Sequence, residues 1–318
     1  MRHRGQAFAE HMLGHGYYNK HSHAQGAANT YGLPLLERAV DRIELDYVPG
    51  VFRVADYGSA QDHNSLLPIK TTLSRLNSRT TNLTANRVQS VEVFHTDLPG
   101  NDWSTLFNTV FSSPDSYLIG QSNVFVYASA TSIYEQIFPR DYIMVGYSAI
   151  AVHWLSRKPC AIPGHIWSVR TEGEAERKWR QRAQADWSAF LESRATEMIP
   201  SGGLVVVGSG ADSNRNSGAE SLMDLANQIL RRIGQEGILT EDELQGLSIP
   251  TYYRTRAEWE EPFNNILLNS ELKLIDYAEA VLPDVYVQDT RIPKTRLDSR
   301  RLMPVSSALP TSHACLQL

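Results

Sequence analysis

The sequence predicts an α/β fold, in which helices pack against a sheet whose strands alternate with them along the chain. The first observation behind this prediction is an alternation of short apolar runs and helical periodicity between residues 34 and 233. The second is that two of the apolar runs, residues 51–55 and 91–96, are followed directly by an aspartate and a glycine-containing turn. Because ligands of α/β sheets bind beyond the carboxyl ends of the strands, Asp56 and Asp97 should border one site.

The elements are expected in a regular order. Residues 1–33 are rich in Gly, His, Asn and Tyr, which predicts a loop-rich lead-in, and helical order should begin near Pro34. Apolar runs predict strands at residues 51–55, 91–96, 124–128, 142–147 and 204–208. Apolar residues at three- and four-residue steps predict helices at residues 34–43, 66–76, 103–111, 173–198 and 219–233.

We expect one domain over residues 1–318, because 318 residues with 42% hydrophobic composition can bury a large single core. Within it, residues 1–33 form the N-terminal segment and residues 34–150 and 200–290 form the sheet core. Insertions at about 155–200 and 210–280 are expected to build a helical cap. Residues 291–318 are rich in Arg, Pro, Ser and Thr without periodicity, which predicts an irregular tail.

The composition argues against several classes of partner. The formal net charge of -5 and the lack of a Lys/Arg run argue against nucleic acid. Only Cys160 and Cys315 are present, which argues against a disulfide framework and indicates a reducing, cytoplasmic compartment. No window is apolar enough for a membrane helix. His15, His21 and His23 have no acidic or cysteine partner nearby in sequence, so no metal site is expected.

The first of the two loops favours a cofactor without phosphate groups. It holds one glycine, Gly58, where a dinucleotide fingerprint has three, and Asp62 would repel a pyrophosphate. An NAD-dependent oxidoreductase is therefore disfavoured. S-adenosyl-L-methionine fits better, because its ribose diol, adenine and amino-acid end can be held by acids and backbone groups. Asp97 is then the candidate acceptor for both ribose hydroxyls.

At these loops the chain resembles the SABATH-type carboxyl methyltransferases, the plant salicylate, benzoate and jasmonate methyltransferase group with its bacterial and fungal relatives. Residues 55–64 follow the family pattern A-D-L-G-C-S-S-G-P-N, and residues 97–103 follow D-L-P-x-N-D-F nearly intact. Further segments agree with the family in the same order, and they are residues 17–25, 131–139, 148–156, 186–203 and 250–255.

The resemblance implies a class I methyltransferase, with a Rossmann-like mixed sheet, a helical cap and a homodimeric assembly. It implies methyl transfer from S-adenosyl-L-methionine to the carboxylate of a small organic acid. The positions that it assigns to the methyl donor are Tyr18, Ser22, Asp56, Gly58, Asn64, Asp97, Leu98, Ser132 and Ile133. Those that it assigns to the acceptor are Gln25, Ile150, His153, Trp154 and Tyr252, with Gln25, His153 and Trp154 as the catalytic candidates.

The chemistry implied by the resemblance needs few reactive groups. A carboxylic acid with a pKa of roughly 4 is already ionised near neutral pH, so no general base is required. The N–H groups of Gln25 and Trp154 are neutral donors that can fix a carboxylate without removing its nucleophilicity. Catalysis is then mainly alignment of the reacting atoms, which can supply about 7–11 kcal/mol.

Three departures from the family pattern leave alternatives open. Asp62 and His63 replace a Gly-Pro pair, Ile150 replaces a Tyr, and after residue 287 the sequence leads into the irregular tail instead of a helix and a strand that close the sheet. One alternative is an N-methyltransferase of the same family that acts on xanthine-type rings. The other is a donor-binding but catalytically inactive protein with a regulatory or scaffold role.

Overall fold

A computed structural model describes residues 19, 22–48, 50–61, 63–81, 88–264, 271–282 and 311–317. The strands are β1 (Val51–Tyr57), β2 (Ser90–Asp97), β3 (Val124–Ala130), β4 (Ile143–Ala149), β5 (Met198–Ala211), β6 (Arg254–Thr255), β7 (Asp276–Leu282) and β8 (Thr311–Gln317). The helices are α1 (His23–Arg42), α2 (Leu66–Thr80), α3 (Trp103–Ser112), α4 (Gly173–Glu197), α5 (Glu220–Gln235), α6 (Glu241–Gly246) and α7 (Arg256–Glu260). All five strands and all five helices expected from the sequence are present.

The main sheet has the strand order β3-β2-β1-β4-β5-β8-β7, and β6 pairs with the end of β5. Strands β1 to β5 are mutually parallel, whereas β8 runs antiparallel to both β5 and β7. The order reverses between β1 and β4, so their carboxyl ends open the crevice in which α/β sheets bind ligands. The loops after β1, β2, β3 and β4 meet at this edge. The parallel strands together with the antiparallel β8 confirm the predicted mixed α/β sheet.

Helices cover the two faces of the sheet. On one face, α1, α2 and α3 bury Leu36, Leu73 and Leu106 against Val54 and Val93 of the central strands. On the other face, the aromatic side chains of α4 pack against Ala55 of β1 and Val206 of β5. Strand β4 lies between these layers and is buried over all but its last residue, as a central parallel strand should be.

Helix α1 begins at His23, eleven residues before the start near Pro34 that the sequence predicted, and Pro34 lies inside it. The glycines that resemble loop signals are contact residues in this helix. A Cβ on Gly26 would lie 2.8 Å from Oδ1 of Asn64, and a Cβ on Gly32 would lie 2.6 Å from a methyl group of Val207. Small residues are therefore required where α1 approaches the sheet and the loop after β1.

Two other assignments are corrected. The C-terminal half of α4 packs on the sheet through Trp187, Phe190 and Leu191, so residues 155–200 are not wholly a cap. Residues 311–317, expected to be part of an irregular tail, form β8 and close the sheet between β5 and β7. Pairing on both sides supplies the backbone hydrogen bonds of this strand, and its sequence, TSHACLQ, has no strong apolar alternation to predict it.

None of the helices in the described part of the chain combines the length and apolar character that crossing a bilayer requires.

Candidate active site at the carboxyl edge of the sheet

The loop after β1 is fixed by its backbone. Gly58 has φ of +90°, and a Cβ at this position would lie 2.4 Å from Cβ of Ala151 in the loop after β4. The N–H groups of Gly58 and Ser59 both donate to the carbonyl of Thr96, at 2.9 and 3.0 Å. Glycine is therefore required for the turn to pass between β2 and the loop after β4.

Asp97 connects the loops after β1 and β2. Its Oδ2 accepts from the backbone N–H of Ala60 at 2.8 Å, and its Oδ1 accepts from that of Leu98 at 2.7 Å. The amide of Asn101 completes the connection by donating to the carbonyl of Ala60 at 2.7 Å. Burial raises the pKa of Asp97, and the two backbone hydrogen bonds oppose that rise. Each carboxylate oxygen keeps a second lone pair for a ligand.

Asp56 lies at the buried end of a polar chain beneath these loops. It is 2% exposed, and its Oδ2 lies 3.5 Å from Nδ1 of His95, its register partner on β2. Nε2 of His95 is 2.8 Å from the hydroxyl of Tyr117. His95 and Tyr117 therefore orient the Asp56 carboxylate, and both lie outside the segments that resemble the family.

The first turn of α1 lies against the loop after β1. The side-chain amide of Asn64 lies 3.4 Å from the carbonyl of Ser22, and the side-chain amide of Asn29 donates to the carbonyl of Asn64 at 2.8 Å. Just upstream, Asn19 donates to the carbonyl of Gln61 at 3.1 Å. The structure thus places Ser22 and the neighbouring first turn next to Asn64, and both Ser22 and Asn64 are positions that the resemblance assigns to the donor. Tyr18 and Asp62 lie outside the described residues.

Several buried polar atoms around these loops have no hydrogen-bond partner among the described residues. They include Oγ of Ser22, Oε1 of Gln25, Oδ1 of Asn29, Oγ1 of Thr96 and Oδ1 of Asn101. A buried polar atom without a partner is destabilising, and such atoms in native proteins usually serve a ligand or water. Their position beside Asp97 and Asn64 indicates a binding site for a polar small molecule.

The turn after β3 is anchored by a buried ion pair of α4. Arg194 and Glu197 are both fully buried and 2.9 Å apart. Arg194 donates to the carbonyls of Ile133 and Glu135, each at 2.9 Å, while Glu197 accepts from the hydroxyl of Tyr57 at 3.0 Å. Ala130 is the register partner of Asp97, so the following Ser132 and Ile133 lie at the same edge. The ion pair therefore ties this turn to the end of β1.

The loop after β4 begins at Ile150 in a strained conformation. Ile150 has φ of +51°, which is unusual for a β-branched residue, and its N–H donates to the carbonyl of Val207 at 2.7 Å. Its next residues carry the predicted pair: His153 is 5% exposed, Trp154 is 43% exposed, and their rings lie 5.6 Å apart. Trp154 is the member of the pair whose side chain reaches solvent.

Two buried side chains hold the loop after β4 from distant parts of the chain. Arg254, 1% exposed, donates to the carbonyl of Val152 at 2.7 Å and to that of Ala183 at 2.8 Å. Asp186, also 1% exposed, accepts from the N–H of Ser156 at 2.9 Å. Burial lowers the pKa of Arg254, whose guanidinium lies against the rings of two buried tryptophans.

Tyr252 does not face the predicted acceptor side. It is 2% exposed, it donates to Oε1 of Glu258 at 2.7 Å, and it accepts from Arg215 at 2.5 Å. Burial raises its pKa to about 12. The neighbouring Tyr253 takes the expected position instead, with its ring 5.7 Å from that of His153. The resemblance had assigned the first residue of this Tyr-Tyr pair, and only packing shows that the second one contacts His153.

Sequence reasoning missed most of the residues that hold the loops in place, which are Asn19, Asn29, Gln61, His95, Asn101, Tyr117, Tyr134 and Arg254. Of these, Asn19, Gln61, Asn101, Tyr134 and Arg254 lie within segments that resemble the family, so their side chains could have been considered. Among the described residues, no group of three or more His, Cys, Asp or Glu could hold a metal ion.

Comparison with known proteins gives one family. A profile described as "SAM dependent carboxyl methyltransferase" matches residues 10–269. The chain is 28% identical to a methyltransferase, FUS9, of Gibberella moniliformis, over 78% of this chain and 65% of that protein. It is 26% identical to gibberellic acid methyltransferase 2 of Arabidopsis thaliana, over 76% of this chain and 66% of that protein. It is 24% identical to a probable 7-methylxanthine methyltransferase of Camellia ptilophylla, over 77% and 71%.

The match therefore spans just under two thirds of the length of the first two of these relatives. Among solved structures, loganic acid methyltransferase with SAH superposes with a TM-score of 0.71 at 21% identity, over 82% of this chain and 76% of that one. This likeness shows the fold of the chain.

Proposed function

The chain belongs to the S-adenosylmethionine-dependent carboxyl methyltransferase family, and from this membership we propose that it methylates the carboxylate of a small organic acid to a methyl ester. The observation that carries the proposal is the set of unpartnered buried polar atoms at the start of α1 and in the loop after β2, among them Oγ of Ser22, Oε1 of Gln25 and Oδ1 of Asn101. They offer hydrogen bonds to a polar cofactor that presents hydroxyl and amine groups.

The donor-side residues fit S-adenosyl-L-methionine. In this proposal Asp97 accepts from the ribose hydroxyls, since its two oxygens are aimed by backbone N–H groups. Asp56 and Ser22 hold the amino-acid end, with Asn64, Gly58 and Tyr18 shaping the loops around it. Leu98, Ser132 and Ile133 complete the donor side. When bound, the cofactor supplies a methyl group activated by its sulfonium charge.

The acceptor side is proposed to work by orientation. Gln25 and Trp154 present neutral N–H groups to the acceptor carboxylate, which keeps its charge and nucleophilicity. His153 and Ile150 shape the wall beside them, and we replace Tyr252 by Tyr253 because of the latter's contact with His153. No residue needs to take a proton, since the acceptor is already ionised near neutral pH.

We also propose that the protein forms a homodimer. The family resemblance motivates this proposal, and the outer strand β3 gives physical support. Its sequence, VFVYASA, carries no charge or proline that would block strand pairing, and Phe125 and Tyr127 are 51% and 43% exposed. Light scattering on the purified protein tests it, and a monomeric mass at all accessible concentrations would refute it.

The cytoplasmic location remains a proposal that is supported by cysteine usage alone, with two cysteines in 318 residues. Fractionation of cells that express the tagged full chain tests it.

The experiment that tests the activity uses methyl-labelled S-adenosylmethionine with benzoic, cinnamic, fatty and indolic acids, followed by mass spectrometry. Methyl ester from at least one acid supports the proposal, and Trp154→Ala should lower the rate of its formation while keeping donor binding. A xanthine in the same panel covers the alternative, because a labelled N-methyl product would assign nitrogen transfer. Tight donor binding with no product from any acceptor would favour the inactive, regulatory protein.

A further inference from the structure

One side chain joins the turn after β3 to the loop after β4. We propose that Tyr134 is a positioning residue that transmits the state of the donor side to Trp154 through the hydrogen bond from its hydroxyl to the Trp154 carbonyl. This inference rests on the proposed function, since it takes Ser132 and Ile133 as donor contacts. It adds a link between the two halves of the site that the proposed roles do not contain.

The backbone of Tyr134 is held on the donor side. Its N–H donates to Oγ of Ser132 at 3.3 Å, and the N–H of Glu135 donates to the Ser132 carbonyl at 3.0 Å. Arg194 donates hydrogen bonds to the carbonyls of Ile133 and Glu135, the residues immediately before and after Tyr134. A displacement of Ser132 or Ile133 therefore moves the Tyr134 ring with it instead of being absorbed by a flexible turn.

The hydroxyl of Tyr134 reaches the acceptor side. It donates to the carbonyl of Trp154 and lies 3.3 Å from that of Val152. A phenol has one proton to donate, and the Val152 carbonyl already accepts from Arg254 at 2.7 Å. The Trp154 carbonyl is therefore the main partner. Burial raises the pKa of Tyr134, so its hydroxyl stays protonated and remains a donor.

The consequence is that fixing the turn after β3 also fixes the backbone that carries the exposed indole of Trp154. Arg254 and Asp186 hold Val152 and Ser156, the positions on either side of His153 and Trp154. Between those two anchors, the backbone also bonds to residues 250–252, through the Tyr252 N–H to the His153 carbonyl at 2.8 Å and the Leu155 N–H to the Pro250 carbonyl at 2.7 Å. The Tyr134 hydroxyl adds a side-chain contact to the Trp154 carbonyl. A change in donor occupancy at the turn after β3 should therefore change the mobility of Trp154 through this hydrogen bond.

Tryptophan fluorescence can measure this link without an acceptor. Of the six tryptophans, Trp167, Trp179, Trp187 and Trp259 are at most 1% exposed. Quenching by acrylamide therefore reports mainly on Trp154, with Trp103 as the second contributor, and a Trp154→Phe variant separates the two. S-adenosylhomocysteine is the probe, and its affinity is measured in parallel by calorimetry.

In the wild-type protein, saturating S-adenosylhomocysteine should lower the quenching of Trp154. Tyr134→Phe keeps the ring in its apolar cluster and removes only the hydroxyl. It should bind S-adenosylhomocysteine within about twofold of wild type but lose the change in quenching, since one neutral hydrogen bond shifts a local equilibrium about fivefold. The matched control is Tyr142→Phe, from the same cluster, which should keep the full change.

An unaltered quenching change in Tyr134→Phe would overturn the proposal. If Tyr134→Phe does not fold, hydrogen exchange in the wild-type protein decides instead: the N–H of Trp154, bonded to Ala151, should exchange more slowly with S-adenosylhomocysteine present. No slowing there would also refute the link. A wild-type protein that binds no S-adenosylhomocysteine would instead refute the proposed function, and this inference with it.

Discussion

The proposed donor side and the proposed acceptor side lie at the same edge of the sheet, but different parts of the chain hold them. On the donor side, Asp97, Gly58 and Asn101 act on loops within or next to their own motifs. On the acceptor side, the loop after β4 is held by Arg254, which lies 102 residues from Val152 along the chain, and by Asp186, which lies 30 residues from Ser156.

This difference explains how an acceptor loop can change while the donor site is retained. A motif whose residues brace one another keeps its shape when distant segments vary. A loop that is held from the cap and from α4 changes when those segments change. We therefore expect substitutions at Asp186 and near β6 to affect acceptor use before they affect donor affinity, whereas Arg194 of the same helix holds the donor-side turn after β3.

The largest expected effect is the loss of the buried ion pair under the donor-side turn. Arg194→Ala leaves Glu197 charged and fully buried without its partner, which should destabilise the fold by about 3–5 kcal/mol. Urea unfolding measures this change. Arg232→Ala is the control, because its pair with Glu236 is exposed at 81% and 51%, and it should cost at most about 0.5 kcal/mol. Equal effects from both variants would refute the structural role of the buried pair.

The next comparison separates the stability cost of a positive φ from the cost of a close side-chain contact in the loop after β1. Gly58→Ala combines a positive φ with a Cβ 2.4 Å from that of Ala151, and it should cost about 2–3 kcal/mol. Gly120→Ala has a similar φ of +75° with nothing within 4 Å of the new Cβ, and it should cost about 1 kcal/mol. Thermal unfolding of the two variants gives the difference. If they are equally stable, the contact with Ala151 is not restrictive.

A smaller effect concerns the acceptor side alone. Trp154→Ala should lower kcat/KM for an accepted acid by about tenfold, the value of one good hydrogen bond, because it removes the proposed N–H donor. Binding of S-adenosylhomocysteine should change little, since the donor-side loops do not depend on this side chain. Steady-state kinetics and calorimetry on the same preparation test whether kcat/KM falls while donor affinity is kept. A parallel loss of donor affinity would mean that the two sides are not separable.

The sequence was sufficient to predict the features that depend on local residue patterns. Strands β1 to β5 follow from apolar runs and turn residues, and the loops with Asp56 and Asp97 at the ends of β1 and β2 follow from two short motifs. The start of α1 could not be predicted in this way, because Gly26 and Gly32 look like loop residues until their tight contacts with Asn64 and Val207 are known.

Features that depend on long-range pairing could not be predicted either. Strand β8 exists because β5 and β7 flank it, and nothing in its own sequence requires a strand. Tyr252 and Tyr253 are adjacent and chemically alike, so only packing assigns one to the Arg215–Glu258 network and the other to His153. Arg254 is an ordinary charged residue in sequence, and its role depends on complete burial beside Val152.

The central claim is that Asp97 at the end of β2 holds the methyl donor, and calorimetric titration with S-adenosylhomocysteine tests it most directly. The wild-type protein should bind, and Asp97→Asn should bind about 10- to 100-fold more weakly, because a charged hydrogen-bond acceptor is lost. Burial raises the pKa of Asp97, so wild-type affinity should fall with acid at a higher pH than for an ordinary aspartate. Unchanged affinity in Asp97→Asn, with exposed Asp115→Asn as the reference, would contradict the claim.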